Sequence, residues 1–253
     1  MDPAVLREDM VDGLEHGMDV AESVALAMRT VPRHEFVENA PYQNRDGDYE
    51  GSTVLSPANV ARLLSALSAE PEEDVLVVGA GVGYTAALLA EIVGETHVHA
   101  VDIDRTLVYA ARANLQSADA SAVLVDCRDG AEGLPEYAPF DRILVEAAAI
   151  GPPERLVSQL KPDGRLVLPL GGPKQTLASV DAAGEVVEKH GPVAFEPLLV
   201  EGEQRSGLAR NRTMREDAEF DSDETGYFAP TGWEQEWIDW DERLSGRQRR
   251  YDR

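Results

Sequence analysis

Cysteine and long apolar runs are scarce in this chain. The single cysteine, Cys127, excludes an internal disulfide and a zinc site built from several cysteines. No stretch approaches the roughly 18 uninterrupted apolar residues of a membrane-spanning helix, and the acidic N-terminus shows no signal peptide. The five histidines have no ligand spacing, so no metal site is expected. We therefore expect a cytoplasmic protein with no membrane partner.

Positive charge is scarce as well. The chain has 23 lysines and arginines against 47 acidic residues, which gives a formal net charge of −24. The only lysines are Lys161, Lys174 and Lys189. Such an acidic surface repels phosphates, which argues against a nucleic-acid partner. Because the acids are spread along the whole chain, the pattern resembles proteins from the high-salt cytoplasm of haloarchaea, where salt screens self-repulsion. An ordinary acidic protein is the alternative.

Glycines are concentrated where a strand is predicted to meet a helix. Residues 75–78 are apolar and mostly β-branched, which is typical of a strand buried on both faces of a parallel sheet. Gly79, Gly81 and Gly83 follow, and residues 84–92 favour a helix. Glycines permit positive φ and let a ligand approach the backbone, while a helix N-terminus offers unpaired N–H groups. Any tight strand-to-helix turn can need glycine, so this motif alone is weakly specific.

Two acidic residues follow the next two predicted strands. Asp102 ends a strand predicted over 97–101, about twenty residues after the glycines, where an acid can accept both ribose hydroxyls of a nucleoside. The alternative is a cap for the following helix. Asp129 and Gly130 come after a strand predicted over 122–125, and the alternative for Asp129 is a turn residue.

Alternating strands and helices predict an α/β fold with a doubly wound, mostly parallel sheet and an antiparallel C-terminal edge. Residues 1–70 are expected to hold N-terminal helices and a polar loop over 38–52, residues 71–201 the ligand-binding core, and residues 202–253 an acidic extension. Trp233, Trp237 and Trp240 predict a helix there, docked on the domain or bound to a partner. The remaining predicted strands are 141–145, 165–169, 175–180, 185–189 and 193–200, and the remaining helices are 3–15, 19–29, 58–67, 106–115 and 153–160.

Four segments, in order over roughly residues 1–200, resemble the protein-L-isoaspartate (D-aspartate) O-methyltransferases. They are VPRHEFV at 31–37, APFDRILVEAAA at 138–149, QLKPDGRLVLP at 159–169 and FEPL at 195–198. The Gly-x-Gly-x-Gly spacing resembles the first motif of class I S-adenosylmethionine (SAM) methyltransferases, whereas a dinucleotide site has Gly-x-Gly-x-x-Gly.

The resemblance implies a Rossmann-like, SAM-dependent enzyme that methylates the carboxylate of L-isoaspartyl residues in damaged proteins, a protein repair reaction. Separately, we expect the protein to be a monomer. The glycines at 79, 81 and 83 would approach the methionine part of SAM, Asp102 the ribose, and Asp129 with Gly130 the adenine. Residues 1–70 would include the substrate loop. In the family a serine of this loop lies near the reacting carboxylate; here either Ser56 or Thr53 takes its place, or the site has lost that hydroxyl.

Three positions depart from the family pattern. Val77 stands where the family has an acid, Leu55 stands at the place of the substrate-loop serine, and Glu146 replaces a threonine. A carboxylate at 146 could repel an anionic substrate. Two further hypotheses therefore stay open after the first. The chain could methylate a different acceptor, or it could be a non-catalytic SAM-binding or interaction module.

Overall fold

A seven-stranded sheet forms the centre of the protein, for which a computed structural model describes residues 2–199. A two-stranded hairpin precedes it, made of β1 (Gly47–Tyr49) and β2 (Ser52–Val54). The sheet strands are β3 (Val75–Val78), β4 (Val98–Asp102), β5 (Leu124–Cys127), β6 (Phe140–Val145), β7 (Leu160–Leu170), β8 (Gln175–Val180) and β9 (Val186–Val193). Their order across the sheet is β5-β4-β3-β6-β7-β8-β9.

The first five sheet strands are parallel, whereas β8 and β9 add antiparallel pairs at one edge. Alternate residues of β3 belong to different packing clusters: Val75 and Val77 pack on one face, and Leu76 and Val78 on the other. Both faces of the central strand are therefore buried, as its uninterrupted apolar sequence predicts. The predicted doubly wound α/β fold with an antiparallel edge is confirmed.

Helices cover the sheet and position the loops at its carboxyl edge. They are α1 (Pro3–Gly17), α2 (Glu22–Thr30), α3 (Pro57–Leu67), α4 (Tyr84–Val93), α5 (Arg105–Ser117) and α6 (Glu154–Val157). The helix α4 follows the glycine turn directly, and α5 follows β4 after a short loop. Asp104 caps α5, because its Oδ1 accepts a hydrogen bond of 2.8 Å from the Thr106 N–H. Asp102 is therefore not the cap of that helix.

The segment predicted as a polar loop over 38–52 contains most of a β-hairpin, so that prediction is wrong for its second half. Glu50 and Gly51 form the connection between β1 and β2, and both have positive φ, +50° and +82°. Positive φ at both central positions twists a two-residue turn in the sense that suits a hairpin. The sequence did not predict this turn, because glutamate is not a usual residue at a first turn position with positive φ.

Two boundaries near the antiparallel edge also differ from the prediction. The helix predicted over 153–160 ends at Val157, and β7 begins at Leu160 rather than 165. The buried Gln159 explains the early stop: its Oε1 accepts from the Leu134 N–H at 2.8 Å and its Nε2 donates to the Glu132 carbonyl at 2.9 Å. These tertiary contacts outweigh local helix propensity.

The prediction of a strand over 193–200 is also wrong for the described part, residues 193–199. The strand β9 ends at Val193, and Pro197 makes only an isolated bridge to Ala148. The side-chain amide of Gln175 bonds both the N–H and the carbonyl of Phe195, so a side chain replaces a ladder pair. The predicted tryptophan helix and the acidic segment of the extension lie outside the described residues. Within 2–199, no helix has the length and apolar character to cross a bilayer.

Candidate functional site

The glycine turn between β3 and α4 has three positive-φ glycines with different surroundings. Their φ angles are +89° at Gly79, +52° at Gly81 and +91° at Gly83. A Cβ at Gly83 would lie 3.2 Å from the Cα of Ala111, so this glycine lets α4 pack closely on α5. A Cβ at Gly81 would meet no atom within 4 Å, so the turn is open there. Gly81 is thus the position where a ligand can approach the backbone.

Asp102 faces this turn from the end of the neighbouring strand β4. Its carboxyl group is buried, with the residue 6% exposed. Its Oδ2 accepts a hydrogen bond of 2.9 Å from the Gly81 N–H, and its Oδ1 accepts one of 2.9 Å from the Asp104 N–H. The acid is therefore fixed beside the open part of the turn, as the parallel register of β3 and β4 predicts.

Asp129 and Gly130 lie on the loop that follows β5, at the same edge of the sheet. The Oδ1 of Asp129 accepts from the Ala131 N–H at 2.8 Å and caps a short 3-10 helix, Gly130–Glu132. Gly130 packs directly on Val78, leaving no room for a Cβ. The turn interpretation of Asp129 is thus correct, and its part in adenine binding stays a prediction. The ends of three adjacent strands bring these residues to the glycine turn.

Arg33 is a central residue of the site to which the sequence reasoning assigned no role. It is 1% exposed, and its guanidinium lies 4.4 Å from the ring centroid of Tyr84. Its Nε donates to the Pro41 carbonyl at 2.9 Å and its Nη2 to the Leu55 carbonyl at 2.6 Å. Burial lowers the pKa of Arg33 and raises the pKa of Tyr84 to about 12. The sequence did contain a sign of this role: Arg33 is a charged residue within the otherwise largely apolar start of the segment VPRHEFV at 31–37.

The candidate hydroxyls occupy different environments. Thr53 lines a cavity together with the glycine turn, and its Oγ1 lies 3.3 Å from the Glu196 carboxylate. Ser56 is buried at the first position before α3, where its hydroxyl makes no capping bond and its N–H donates to Asp46. Leu55 lines the same cavity as Thr53. Both hydroxyls stay predictions as catalytic groups.

The cavity is lined mainly by three parts of the described chain. Residues 53–55 of the loop, residues 80–82 of the glycine turn and residues 84–85 of α4 line it, together with Arg33 and Glu146. Val77 is fully buried inside β3 and does not reach it. Residues 53–55 and the glycine turn thus face the same cavity.

Glu146 supplies an ionisable group to this cavity from the end of β6. Its Oε1 is shielded from solvent and has no hydrogen-bond partner among the described residues. Burial raises the pKa of Glu146 to about 7; the Thr85 hydroxyl lowers it, the Asp102 charge raises it and Arg33 lowers it. The carboxyl group is therefore poised between its neutral and charged forms near neutral pH.

Comparisons with known proteins agree with this geometry. The sequence profile of a family described as Protein-L-isoaspartate(D-aspartate) O-methyltransferase (PCMT) matches residues 6–203. The chain is similar to the protein-L-isoaspartate O-methyltransferase of Methanosarcina mazei, with 39% identity over 203 residues that cover 77% of this chain and 83% of the relative. It is 42% identical over 207 residues to the enzyme of that name from Aeropyrum pernix, covering 76% and 78% of the two chains.

Solved structures give the same relationship. A protein-L-isoaspartate O-methyltransferase structure superposes with a TM-score of 0.68 at 26% identity, covering 76% of this chain and 65% of the other. A Plasmodium falciparum structure in complex with S-adenosyl-L-homocysteine has a TM-score of 0.68 at 22% identity, covers 76% of this chain and 98% of the other, and supports the fold. From its sequence match and its architecture, this chain belongs to the protein-L-isoaspartate(D-aspartate) O-methyltransferase family.

Proposed function

We propose that this protein is a SAM-dependent O-methyltransferase that methylates the carboxylate of L-isoaspartyl residues in damaged proteins. Membership of the family supports the reaction. The observation that carries the proposal for this chain is the hydrogen bond between the Gly81 N–H and Asp102. It joins an open backbone position to a buried acid at one edge of the sheet, as a nucleoside site requires.

The residues at this edge fit SAM. The turn is open at Gly81, where a Cβ would meet no neighbour, so a ligand can contact its backbone. Asp102 would accept the ribose hydroxyls and Asp129 the adenine amino group, while Gly79, Gly81 and Gly83 would pass beside the methionine part. When bound, SAM supplies a methyl group activated by its attachment to a sulfonium sulfur.

The chain itself has to provide positioning rather than strong acid–base chemistry. A carboxylate acceptor is already ionised at neutral pH, so no general base is required to activate it. The loop residues 53–55 would hold the acceptor in the cavity that they share with the glycine turn. Arg33 fixes this loop through the Leu55 carbonyl. Alignment of the reacting atoms and exclusion of water can supply much of the rate enhancement.

Methyl transfer to a defined peptide tests the proposal. The purified protein in concentrated KCl is given labelled SAM and a peptide that contains one L-isoaspartyl residue. We expect a base-labile methyl ester on this peptide and none on the matched peptide with ordinary aspartate. Absence of ester at every salt concentration would reject the function. Transfer to another cell fraction with inert isoaspartyl peptides would support a different acceptor.

Leu55 is the departure from the family pattern that bears on the acceptor, because it lines the cavity at the place where the family has a serine. We predict that Leu55→Ser raises the rate of isoaspartyl methylation severalfold, since it places a hydroxyl at the acceptor. The matched variants Thr53→Val and Ser56→Ala show which native hydroxyl is used. A loss of activity in Leu55→Ser would instead support a role for Ser56 or Thr53 in the native loop.

We also propose that the protein is a cytoplasmic monomer adapted to high salt, with isoaspartyl proteins as its partners and no nucleic-acid or membrane partner. The net charge of −24 and the low lysine content support this environment. Size-exclusion chromatography with light scattering in concentrated KCl measures the mass. A mass of twice 27.5 kDa would contradict the monomer.

A further inference from the structure

Glu146 lies on the opposite side of the glycine turn from Asp102. Its N–H donates to the Val78 carbonyl at 2.8 Å, and its Cβ is 3.5 Å from the position that a Cβ at Gly79 would occupy. The strand order β4-β3-β6 therefore places Asp102 on one side of the turn and Glu146 on the other. A ligand that crosses the turn would contact one acid at each end.

One oxygen of the Glu146 carboxyl group lacks a partner, although the Thr85 hydroxyl bonds the group. Its Oε1 is shielded and has no hydrogen bond among the described residues. A buried carboxylate is costly unless it is paired, so this oxygen calls for a donor that the described residues do not supply. Arg33 and Tyr84 line the same cavity, and the Nη1 of Arg33 and the hydroxyl of Tyr84 are also buried without a hydrogen-bond partner among the described residues, so the polar groups of this cavity are unsatisfied together. A bound molecule would supply partners to them, and a cation would stabilise the charged form of Glu146 most.

The charged groups around Glu146 leave room for a cation. Asp102 raises the pKa of Glu146 and Arg33 lowers it, while the hydroxyl of Thr85 is a neutral donor. Arg33 donates through Nε and Nη2 to the carbonyls of Pro41 and Leu55, while its Nη1 has no partner among the described residues. With both acids ionised and Arg33 protonated, these three groups carry a net charge of −1. The site is complementary to a ligand with a net positive charge.

We propose that Glu146 binds the α-ammonium group of the methionine part of SAM. The inference rests on the proposed function, and it gives Glu146 a positioning role. With the nucleoside at Asp102, Glu146 on the other side of the turn would hold the amino-acid part. The carboxylate that could repel an anionic acceptor is then neutralised by the bound cofactor.

Binding of S-adenosyl-L-homocysteine, which has the same ammonium group and undergoes no reaction, tests the proposal by calorimetry. We expect Glu146→Gln to weaken this binding by about 10- to 100-fold, because a hydrogen bond between charged groups is lost. An analogue of the same compound without the amino group should bind equally to the wild type and to Glu146→Gln. The matched control Glu91→Gln removes an exposed carboxylate from α4 and should leave both affinities unchanged.

The wild type alone provides a second readout. Only the ionised carboxyl group binds the ammonium strongly, so affinity for S-adenosyl-L-homocysteine should fall as the pH drops below about 7, by up to about tenfold per pH unit. The analogue without the amino group should not show this fall. The other groups facing Glu146 are Asp102, Thr85 and Arg33, and the analogue comparison controls for them.

Equal loss of affinity for both compounds in Glu146→Gln, or no loss for either, would overturn this role of Glu146. That outcome differs from failure of the proposed function, in which the wild type binds neither compound or forms no ester on isoaspartyl peptides. A flat pH profile for wild-type binding would also overturn the inference, even if the variant did not fold.

Discussion

Glu146 makes the stability of the ligand-free protein depend on pH in an unusual direction. Its pKa is about 7 in the fold, against 4.5 for an ordinary glutamate side chain, so the folded state holds the proton over a range where the unfolded state has lost it. Stability therefore falls as pH rises from 4.5 to 7, by a contribution on the order of 3 kcal/mol. The contribution is fully present below 4.5.

Glu146→Gln removes this titration while keeping the shape of the side chain. We predict that the variant is more stable than the wild type at pH 8 and close to it at pH 5, as measured by denaturant unfolding without ligand. Glu91→Gln, which changes an exposed carboxylate, should show no such difference between the two pH values. A wild-type advantage at pH 8 would contradict the raised pKa of this carboxyl group.

Asp102 gives a second prediction for a single residue. Asp102→Ala should weaken binding of S-adenosyl-L-homocysteine by about 1–3 kcal/mol, because hydrogen bonds to a charged acceptor are lost. Asp104→Ser is the matched control: it removes a nearby carboxylate but keeps a capping side chain for α5. Calorimetry that gives equal affinities for wild type and Asp102→Ala would refute the ribose assignment.

Single residues were predictable where one strand end determines their position. Asp102 follows a buried apolar strand, and parallel pairing brings it to the glycine turn. Arg33 could not be placed in this way, because its role depends on carbonyls 8 and 22 residues away. The raised pKa of Glu146 depends on burial from several elements, which sequence spacing does not encode.

Among the elements, the glycine turn allows two substitutions to be compared. Gly81→Ala places a Cβ in open space at φ +52°, so we expect a stability loss of only about 1 kcal/mol but a large loss of cofactor binding. Gly83→Ala forces a Cβ to 3.2 Å from Ala111 at φ +91°, so we expect a stability loss of about 2–3 kcal/mol. Thermal unfolding and calorimetry measure the two effects separately. The reverse order would show that Gly81 is a packing residue.

Elements with a clear apolar period were predicted well, and those held by side-chain hydrogen bonds were not. The boundaries of β3 and β8 agree with the sequence prediction at both ends. The hairpin β1–β2 was missed because its turn uses glutamate at positive φ. The end of α6 was missed because Gln159 bonds a distant loop, and no local pattern reports that contact.

For the whole molecule, charge rather than hydrophobic burial sets the response to salt. A net charge of −24 opposes a compact state, and few cations are available to offset it. One of them, Arg29, bonds three carboxylates of α1: Glu8, Asp12 and Glu15. Raising the ionic strength from 0.1 to 1 M shortens the screening length from about 10 to about 3 Å. Repulsion among the remaining acids then weakens.

We therefore predict that the thermal midpoint rises by about 5 °C or more between 0.1 and 1 M KCl. For a chain of this size, a change of about 1 kcal/mol in the free energy of unfolding shifts the midpoint by about 2–4 °C. A triple variant, Glu22→Gln with Glu38→Gln and Glu91→Gln, removes three exposed acids and should show a smaller increase. Calorimetric scans over a KCl series make the comparison. An equal increase in both proteins would mean that KCl acts through something other than these charges.

The guanidinium of Arg33 holds the carbonyls of Pro41 and Leu55, which stand at either end of the segment that contains the hairpin. One side chain thus links both ends of this segment, and its guanidinium also lies over the aromatic ring of Tyr84 in α4. Because the bonded groups are backbone carbonyls, residues between the two ends can change while these hydrogen bonds remain. We infer that substitutions between residues 42 and 54 can change the cavity wall formed by residues 53–55 without moving the glycine turn.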